Sequence, residues 1–251
     1  MTVTTLLILL GAGLVGGLAN AMAGGASLVT FPAMMAAGLA PIPANASNAL
    51  GIIFGNVMGA FAERRKLPAI DGPMLLAFAA ATVGGALGAV LLLHTPERIF
   101  VLVVPALIGI ATAIFAFSKS IQAWVAERFG MNSGGLRAGL VFPAAIYGGY
   151  FGAGVGVILM SVLSATSQWE LRTANAVKNL LGVLANAAAI VIFIARGMIS
   201  WPETLVMMLA CIVGGFLGGK ALAVISAATM RKAIILIGSA MTVFYAWRYW
   251  A

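Results

Sequence analysis

A lysine and two asparagines lie close together in the stretch ANAVKNLLGVLAN, residues 174–186. Lys178 follows Asn175 by three residues and directly precedes Asn179, inside a long apolar run. Glu170, the nearest acid in sequence, lies about two helical turns back. An ammonium group and amide donors without a neighbouring carboxylate suit a small anion. The alternative is that Lys178 extends its long side chain to the nearest polar surface.

Two glycine-rich windows, NAMAGGAS (20–27) and YGGYFGAGVG (147–156), each interrupt an apolar run. Glycine favours a break in a helix, and the piece after a break begins with free N–H groups and a positive dipole end. Such an opening binds anions. The residues expected at the two openings are Gly24, Gly25, Ser27, Gly154 and Gly156. The alternative role of the glycines is close helix packing.

Asparagines recur at matched spacing in the two halves of the chain. Asn45 and Asn56 are eleven residues apart, as are Asn175 and Asn186, and this spacing of about three turns places each pair on one helix face. Near helix starts, Asn45 and Asn175 are expected to contact substrate or to hold the broken loop. For Asn56 and Asn186 we favour interhelical hydrogen bonds.

The composition predicts an all-α integral membrane protein. The chain of 251 residues is 63% hydrophobic and 8% charged, against about 25% charged residues in a soluble domain. Every backbone polar group in a bilayer must be satisfied internally, so the spanning elements are helices or closed barrels. The long continuous apolar runs favour helices.

Redox and metal chemistry find little support in the sequence. The single Cys211 excludes an internal disulfide, and the single His94 excludes a multi-histidine metal site. We expect no cofactor. The net charge of +8 lies mainly in short loops, where it sets topology, so no nucleic-acid partner is expected. The N-terminus has no basic n-region and is expected to be a retained helix.

An internal repeat organises the chain, because the second half matches the first at one fixed offset. Ala44-Asn45-Ala46 falls on Ala174-Asn175-Ala176, and VGGALG (83–88) falls on VGGFLG (213–218). At this offset Asn48 is the counterpart of Lys178. The predicted units are a first repeat over 1–118, a polar linker over 119–136 and a second repeat over 137–251.

Each repeat is predicted to contain three spanning helices after one broken segment. The spans are expected near 42–62, 73–93, 98–118, 171–195, 202–223 and 229–249. The broken segments are 5–38 and about 137–166. The first would be roughly 51 Å long as one helix, which is too long for a hydrocarbon core of about 30 Å.

The distribution of basic residues indicates how the broken segments cross. If each crosses once, the basic residues divide eight against five between the two sides of the membrane. If each returns to its starting side, they divide ten against three, which fits the positive-inside rule better. The larger group is Arg64, Arg65, Lys66, Lys119, Arg128, Arg137, Arg172, Lys220, Arg231 and Lys232. The counting leaves two short crossings and a re-entrant hairpin as open alternatives.

The returning topology makes the two repeats inverted and places both termini outside the cytoplasm. Inverted repeats with broken helices are a transporter architecture, in which substrate binds near the midplane. Proton coupling often uses a buried carboxylate or histidine. The acids of this chain lie at span ends or in loops, so the coupling ion is open.

The motifs resemble the TauE/SafE family of sulfite exporter and toluene-sulfonate-uptake permeases. They are GLANAMAGGASLVTFPAMMAAGLAP, GGYFGAGVGVILM, ANAVKNLLGVLAN and VGGFLGGKAL, and the resemblance covers about residues 8 to 245. It implies sulfite, sulfoacetate or related organosulfonates as substrates. It also implies binding roles for Gly24, Gly25, Gly154, Gly156, Asn175, Lys178 and Asn179. The first glycine run, AGGAS, is shorter than the family pattern.

The resulting prediction is an alternating-access transporter of small sulfur-containing anions in the inner membrane. The predicted substrate-binding residues are Gly24, Gly25, Ser27, Asn45, Asn48, Gly154, Gly156, Asn175, Lys178 and Asn179. The expected partners are the anion and the lipid bilayer, with a homodimer as an open alternative. An anion channel with the same site is the rival hypothesis. An enzyme is disfavoured because the spans lack a carboxylate pair, a histidine cluster and a Ser–His arrangement.

Overall fold

The computed structural model describes residues 1–22, 25–62, 64–129, 134–221 and 226–251, and all regular secondary structure in these ranges is helical. This confirms the predicted all-α fold. The helices are α1 (Val3–Met22), α2 (Ser27–Ala36), α3 (Pro41–Ala62), α4 (Gly72–His94), α5 (Glu97–Ala116), α6 (Ser118–Phe129), α7 (Gly134–Tyr150), α8 (Val155–Thr166), α9 (Leu171–Ala195), α10 (Trp201–Ala221) and α11 (Ala227–Trp250), with a short 3₁₀ turn at Arg64–Lys66.

Both predicted helix breaks are present, and the chain folds back at each of them. Helix α2 packs against α1, and α8 packs against α7. A side chain at Gly16 of α1 would overlap Thr30 of α2, and one at Gly148 of α7 would lie 3.0 Å from Val155 of α8. The two pieces of each broken segment therefore form a helical hairpin.

Helix boundaries repeat along the chain. Helices α3 and α9 begin at Pro41 and Leu171, and α5 and α11 begin at Glu97 and Ala227, so both pairs keep the offset that aligns Asn45 with Asn175. The packing has the same symmetry, since α1 packs on α10 as α7 packs on α4, and α3 packs on α10 as α9 packs on α4. This pattern fits two related repeats. Their inverted orientation in the membrane stays a prediction.

Glycines bring the two halves into backbone contact. A side chain at Gly149 of α7 would overlap the carbonyl oxygen of Gly85 of α4, and one at Gly17 of α1 would overlap that of Cys211 of α10. Small residues that let helix backbones touch are typical of membrane helix packing. At these positions glycine therefore allows close helix packing within one chain, which is the alternative role considered for the glycines.

Helix α4 illustrates how one face is reserved for lipid. It begins at an N-cap, where the Asp71 side chain accepts a hydrogen bond from the Met74 N–H at 2.9 Å. Its glycine face is buried against α7 and α9, whereas apolar side chains on other faces are exposed. The exposed ones are Leu75, Leu76, Val83, Leu87, Val90 and Leu91. Exposed leucines and valines in this number suit contact with lipid.

Four helical segments in the described residues are long and apolar enough to cross a membrane: Val3–Asn20, Gly72–His94, Glu97–Ala116 and Arg172–Ala195. Shorter apolar helices are Ser27–Ala36, Val155–Thr166 and Trp201–Leu217. The range 119–136, expected to be a polar linker, contains most of α6 and the start of α7. Helix α6 packs on α8. The domain boundaries stay a prediction.

Candidate functional site

A cavity of about 440 Å³ lies where the two helix breaks meet. It is lined by the starts of α2 and α8, by α3 and α9, and by the α5–α6 junction and the start of α11. Its described lining residues include three cations, Lys119, Lys178 and Arg231, and contain no aspartate or glutamate. Such a lining attracts anions.

The structure brings most of the predicted site residues together around this cavity. Those that line it are Gly25, Ser27, Asn48, Gly154, Gly156, Asn175, Lys178 and Asn179. Gly24 lies outside the described residues. Asn45 is not among the described residues that line the cavity.

Lys178 of α9 lies beside the first turn of α8. An added Cβ at Gly156 would be 4.0 Å from the Lys178 Cδ, so the alkyl chain of the lysine passes over the opening of this helix. The Val155 N–H donates to the Gly152 oxygen, and the Val157 N–H donates to the Gly154 oxygen. Among described residues, the Gly156 N–H has no backbone acceptor. The Lys178 side chain and a helix N-terminal N–H without a backbone acceptor among the described residues therefore belong to the same part of the cavity wall.

The second break depends on glycine conformation. Gly154, the N-cap of α8, has φ +80°, and Gly152 has φ +81°. This left-handed region is accessible to glycine at little cost. The Tyr147 hydroxyl donates to the Ala153 oxygen at 2.7 Å and fixes the loop between the two glycines.

Asn45 supports this second break from the other half of the chain. Its Nδ2 donates to the Tyr150 carbonyl oxygen, at the end of α7, at 2.9 Å. Carbonyls at a helix end lack an intrahelical partner, and this amide supplies one. The structure thus places Asn45 in the loop-holding role, one of the two alternatives that its position in the sequence allows.

The first break is covered by an aromatic ring. Gly25 has φ +83°, and a side chain there would lie 3.0 Å from the Phe115 ring. Phe115 belongs to the last turn of α5 and is 2% exposed. Nearby, the hydroxyl of buried Thr30 lies 2.5 Å from Asn48 Oδ1 and 3.0 Å from the Ala26 oxygen. These contacts fix Asn48 at the cavity wall.

The cavity also contains polar residues outside the predicted set. Asn20, Asn56 and Asn186 line it, although the sequence favours helix–helix contacts for Asn56 and Asn186. Their amides in apolar runs are the signal that could have placed them in the site. Lys119, Gln122 and Arg231 line it too. For the two cations the available signal is charge at a span end, which topology already explains, and for Gln122 it is polarity within the segment predicted as a linker.

Comparison with known proteins identifies the family of this chain. The family model described as "Sulfite exporter TauE/SafE" matches residues 9–245, nearly the whole chain. The chain belongs to the TauE/SafE family. It is therefore a membrane transporter and not an enzyme.

Relatives of this TauE/SafE protein carry transporter names. A "Probable membrane transporter protein" of Haemophilus influenzae is 28% identical over 240 residues, covering 94% of this chain and 92% of the relative. "Probable membrane transporter protein YfcA" of Escherichia coli K12 is 25% identical, covering 90% and 84%. "Probable membrane transporter protein ORF9" of a Sinorhizobium species is 26% identical, covering 92% and 88%. No solved structure matches the chain.

Proposed function

We propose that this TauE/SafE protein is a secondary transporter of small sulfur-containing anions, either sulfite or organosulfonates such as sulfoacetate. The name of the family model supports the substrate class. We further propose that it lies in the inner membrane with both termini outside the cytoplasm, as the basic residues favour.

The observation that carries this proposal is the convergence of Lys178, amide side chains and both helix breaks on one cavity. A sulfonate or sulfite group has three oxygen acceptors around one sulfur atom. The ammonium of Lys178 supplies charge, while Asn48, Asn175 and Asn179 offer amide donors. Because the described lining contains cations and no aspartate or glutamate, the charge of the cavity wall is positive.

Alternating access is proposed because the site lies between elements of the two repeats. The opening of α8 and Lys178 belong to the second half, and Gly25 and Asn48 belong to the first half. Movement of one repeat against the other would open the cavity to either side in turn. The cavity reaches the surface near Lys119, which is exposed. We therefore assign the structure to a state open toward the side carrying Lys119, the cytoplasm in the predicted topology.

The test is thermal stabilisation of purified protein by sulfite, sulfate, thiosulfate, sulfoacetate, taurine and acetate. A ligand at about a hundred times its dissociation constant stabilises the folded state by about 2.7 kcal/mol. We expect a sulfur oxyanion or sulfonate to stabilise wild type and the control Lys66→Ala, which removes an exposed cation outside the cavity lining. Lys178→Ala should lose this response. Equal responses of wild type and Lys178→Ala would remove Lys178 from the site.

A further inference from the structure

The outer part of the cavity has its own group of polar side chains, which we call the mouth cluster: Lys119, Gln122 and Arg231. Lys119 and Gln122 are three residues apart on α6 and so lie on one face of that helix. Arg231 comes from the first turns of α11. Lys119 is exposed, whereas Gln122 and Arg231 are partly buried, so the cluster includes a point at which the cavity reaches the surface.

The guanidinium of Arg231 is held in a defined position. Its Nη2 donates to the Ala116 oxygen at 3.0 Å, to the Phe115 oxygen at 3.3 Å and to Ser118 Oγ at 2.8 Å. These acceptors form the C-terminal end of α5 and the junction with α6. Within the described residues these bonds all use Nη2, which leaves the other donors of the planar group for a ligand.

The mouth cations have no acidic neighbour among the described residues. Across the described parts of the chain, no carboxylate lies within 4.0 Å of Lys119 or Arg231. Cations lining a cavity with low-dielectric walls raise the local concentration of anions. A polar cluster with cations and without a carboxylate partner in the described part of the chain suits a negatively charged group.

The cations of the cavity have no charged counterparts under the repeat. At the offset that aligns Asn45 with Asn175, Lys178 corresponds to Asn48, Arg231 to Val101, and Lys119 to Tyr249. None of these counterparts is charged. The repeat therefore generates no second copy of these three cations.

We propose that Lys119, Gln122 and Arg231 form a second anion subsite, which binds the oxyanion group of the substrate at the mouth before it reaches Lys178. This inference rests on the proposed function and deepens it. The subsite strengthens binding from one side of the membrane only. Lys119 contributes charge, Gln122 contributes a neutral amide donor, and Arg231 contributes both charge and fixed geometry.

The experiment compares wild type with Lys119→Gln, Gln122→Ala and Arg128→Gln in purified full-length protein. Arg128 is the matched control because it is an exposed cation on α6 that does not line the cavity. The dissociation constants of sulfite and sulfoacetate are measured by thermal stabilisation at about 20 mM and about 500 mM salt. Exposed charges interact much more strongly at the lower concentration.

At low salt, Lys119→Gln should weaken anion binding about three- to tenfold, and the difference from wild type should shrink at high salt. Gln122→Ala should weaken it about two- to fivefold at both salt concentrations, because its amide acts by direct contact. Arg128→Gln should stay within about twofold of wild type.

Two results would overturn the mouth subsite while leaving the proposed function intact. One is anion binding by Lys119→Gln and Gln122→Ala that equals wild type. The other is equal weakening in Lys119→Gln and Arg128→Gln, which would assign the effect to overall surface charge. If neither sulfite nor sulfoacetate stabilises wild type, the proposed function fails and the mouth subsite fails with it.

Discussion

Lys178 and Asn48 occupy equivalent positions of the two halves, yet their surroundings differ. Thr30 lies 2.5 Å from the Asn48 side-chain oxygen. At the same repeat offset, Thr30 corresponds to Met160, which also lines the cavity. A methionine cannot donate a hydrogen bond. The first half therefore fixes a neutral amide at this position, and the second half places a cation at the equivalent one.

The Thr30–Asn48 contact predicts that removing the Thr30 hydroxyl lowers the stability of the protein. A second threonine without such a contact serves as the control. Thr30→Val should destabilise the protein by about 1–3 kcal/mol, because the buried Asn48 oxygen loses its donor. Thr82→Val is the control, since the exposed Thr82 hydroxyl makes the same bond four residues back, to the Phe78 oxygen. We expect it to change stability by about 0.5 kcal/mol or less. Thermal unfolding midpoints measure both, and equal shifts would disprove a role for the Asn48 contact.

Single residues of the candidate site differ in how clearly the sequence indicates them. Lys178, Asn175 and Asn179 can be selected because polar groups in an apolar span are costly unless they have a role. Lys119 and Arg231 cannot, because a basic residue at a span end also satisfies the positive-inside rule. Only the fold shows that these two line the same cavity as Lys178.

At the level of helices, the breaks and glycine faces determine where the site forms. Both breaks can be predicted, because a run of apolar residues too long for one span contains clustered glycines. The return of the chain at each break is also favoured by the basic residues, which do not distinguish a re-entrant hairpin from two short crossings. The packing of α2 on α1 and of α8 on α7 agrees with this return. Helix α6 is predicted as a linker because its sequence is polar.

The glycine contact between α4 and α7 predicts a large effect of one added methyl group. Gly149→Ala should destabilise the protein by more than about 2 kcal/mol or abolish folded protein, because the methyl group would overlap the Gly85 backbone. Gly139→Ala is the control on the same helix, since a side chain there meets no atom within 4 Å. It should be neutral or stabilising by about 0.5–1 kcal/mol. Folded yield and unfolding midpoint test the pair, and comparable behaviour would contradict the packing of these helices.

At the level of the whole molecule, each half packs its first helix against a helix of the other half. Helix α1 packs on α10 and α7 packs on α4, so neither half is a separate body. The sequence repeat predicts that the two halves contain similar segments, but it does not predict which helices of the two halves pack together. Which helices pair across the halves depends on backbone contact at Gly17 and Gly149, which periodicity alone does not specify.

The predicted topology can be tested by cysteine labelling of intact cells. Cys211, the single cysteine, is buried and is replaced by serine to give a cysteine-free background. Thr2→Cys and Ala251→Cys should react with a membrane-impermeant maleimide from outside, and Lys66→Cys should react only after permeabilisation. The basis is the ten-to-three division of basic residues. The reverse labelling pattern would invert the orientation, and termini on opposite sides would exclude the returning topology.

Counterflow in proteoliposomes tests the central claim most directly. Vesicles containing wild-type protein are loaded with unlabelled sulfoacetate or sulfite, and entry of the labelled anion is followed. We predict that entry is saturable and that unlabelled anion inside the vesicles accelerates it. Lys178→Gln should lower the rate of entry by at least about tenfold, and Lys66→Gln should leave it unchanged. Entry that is linear in concentration and unaffected by internal anion would indicate a channel. Equal flux through wild type and Lys178→Gln would contradict the anion site described here.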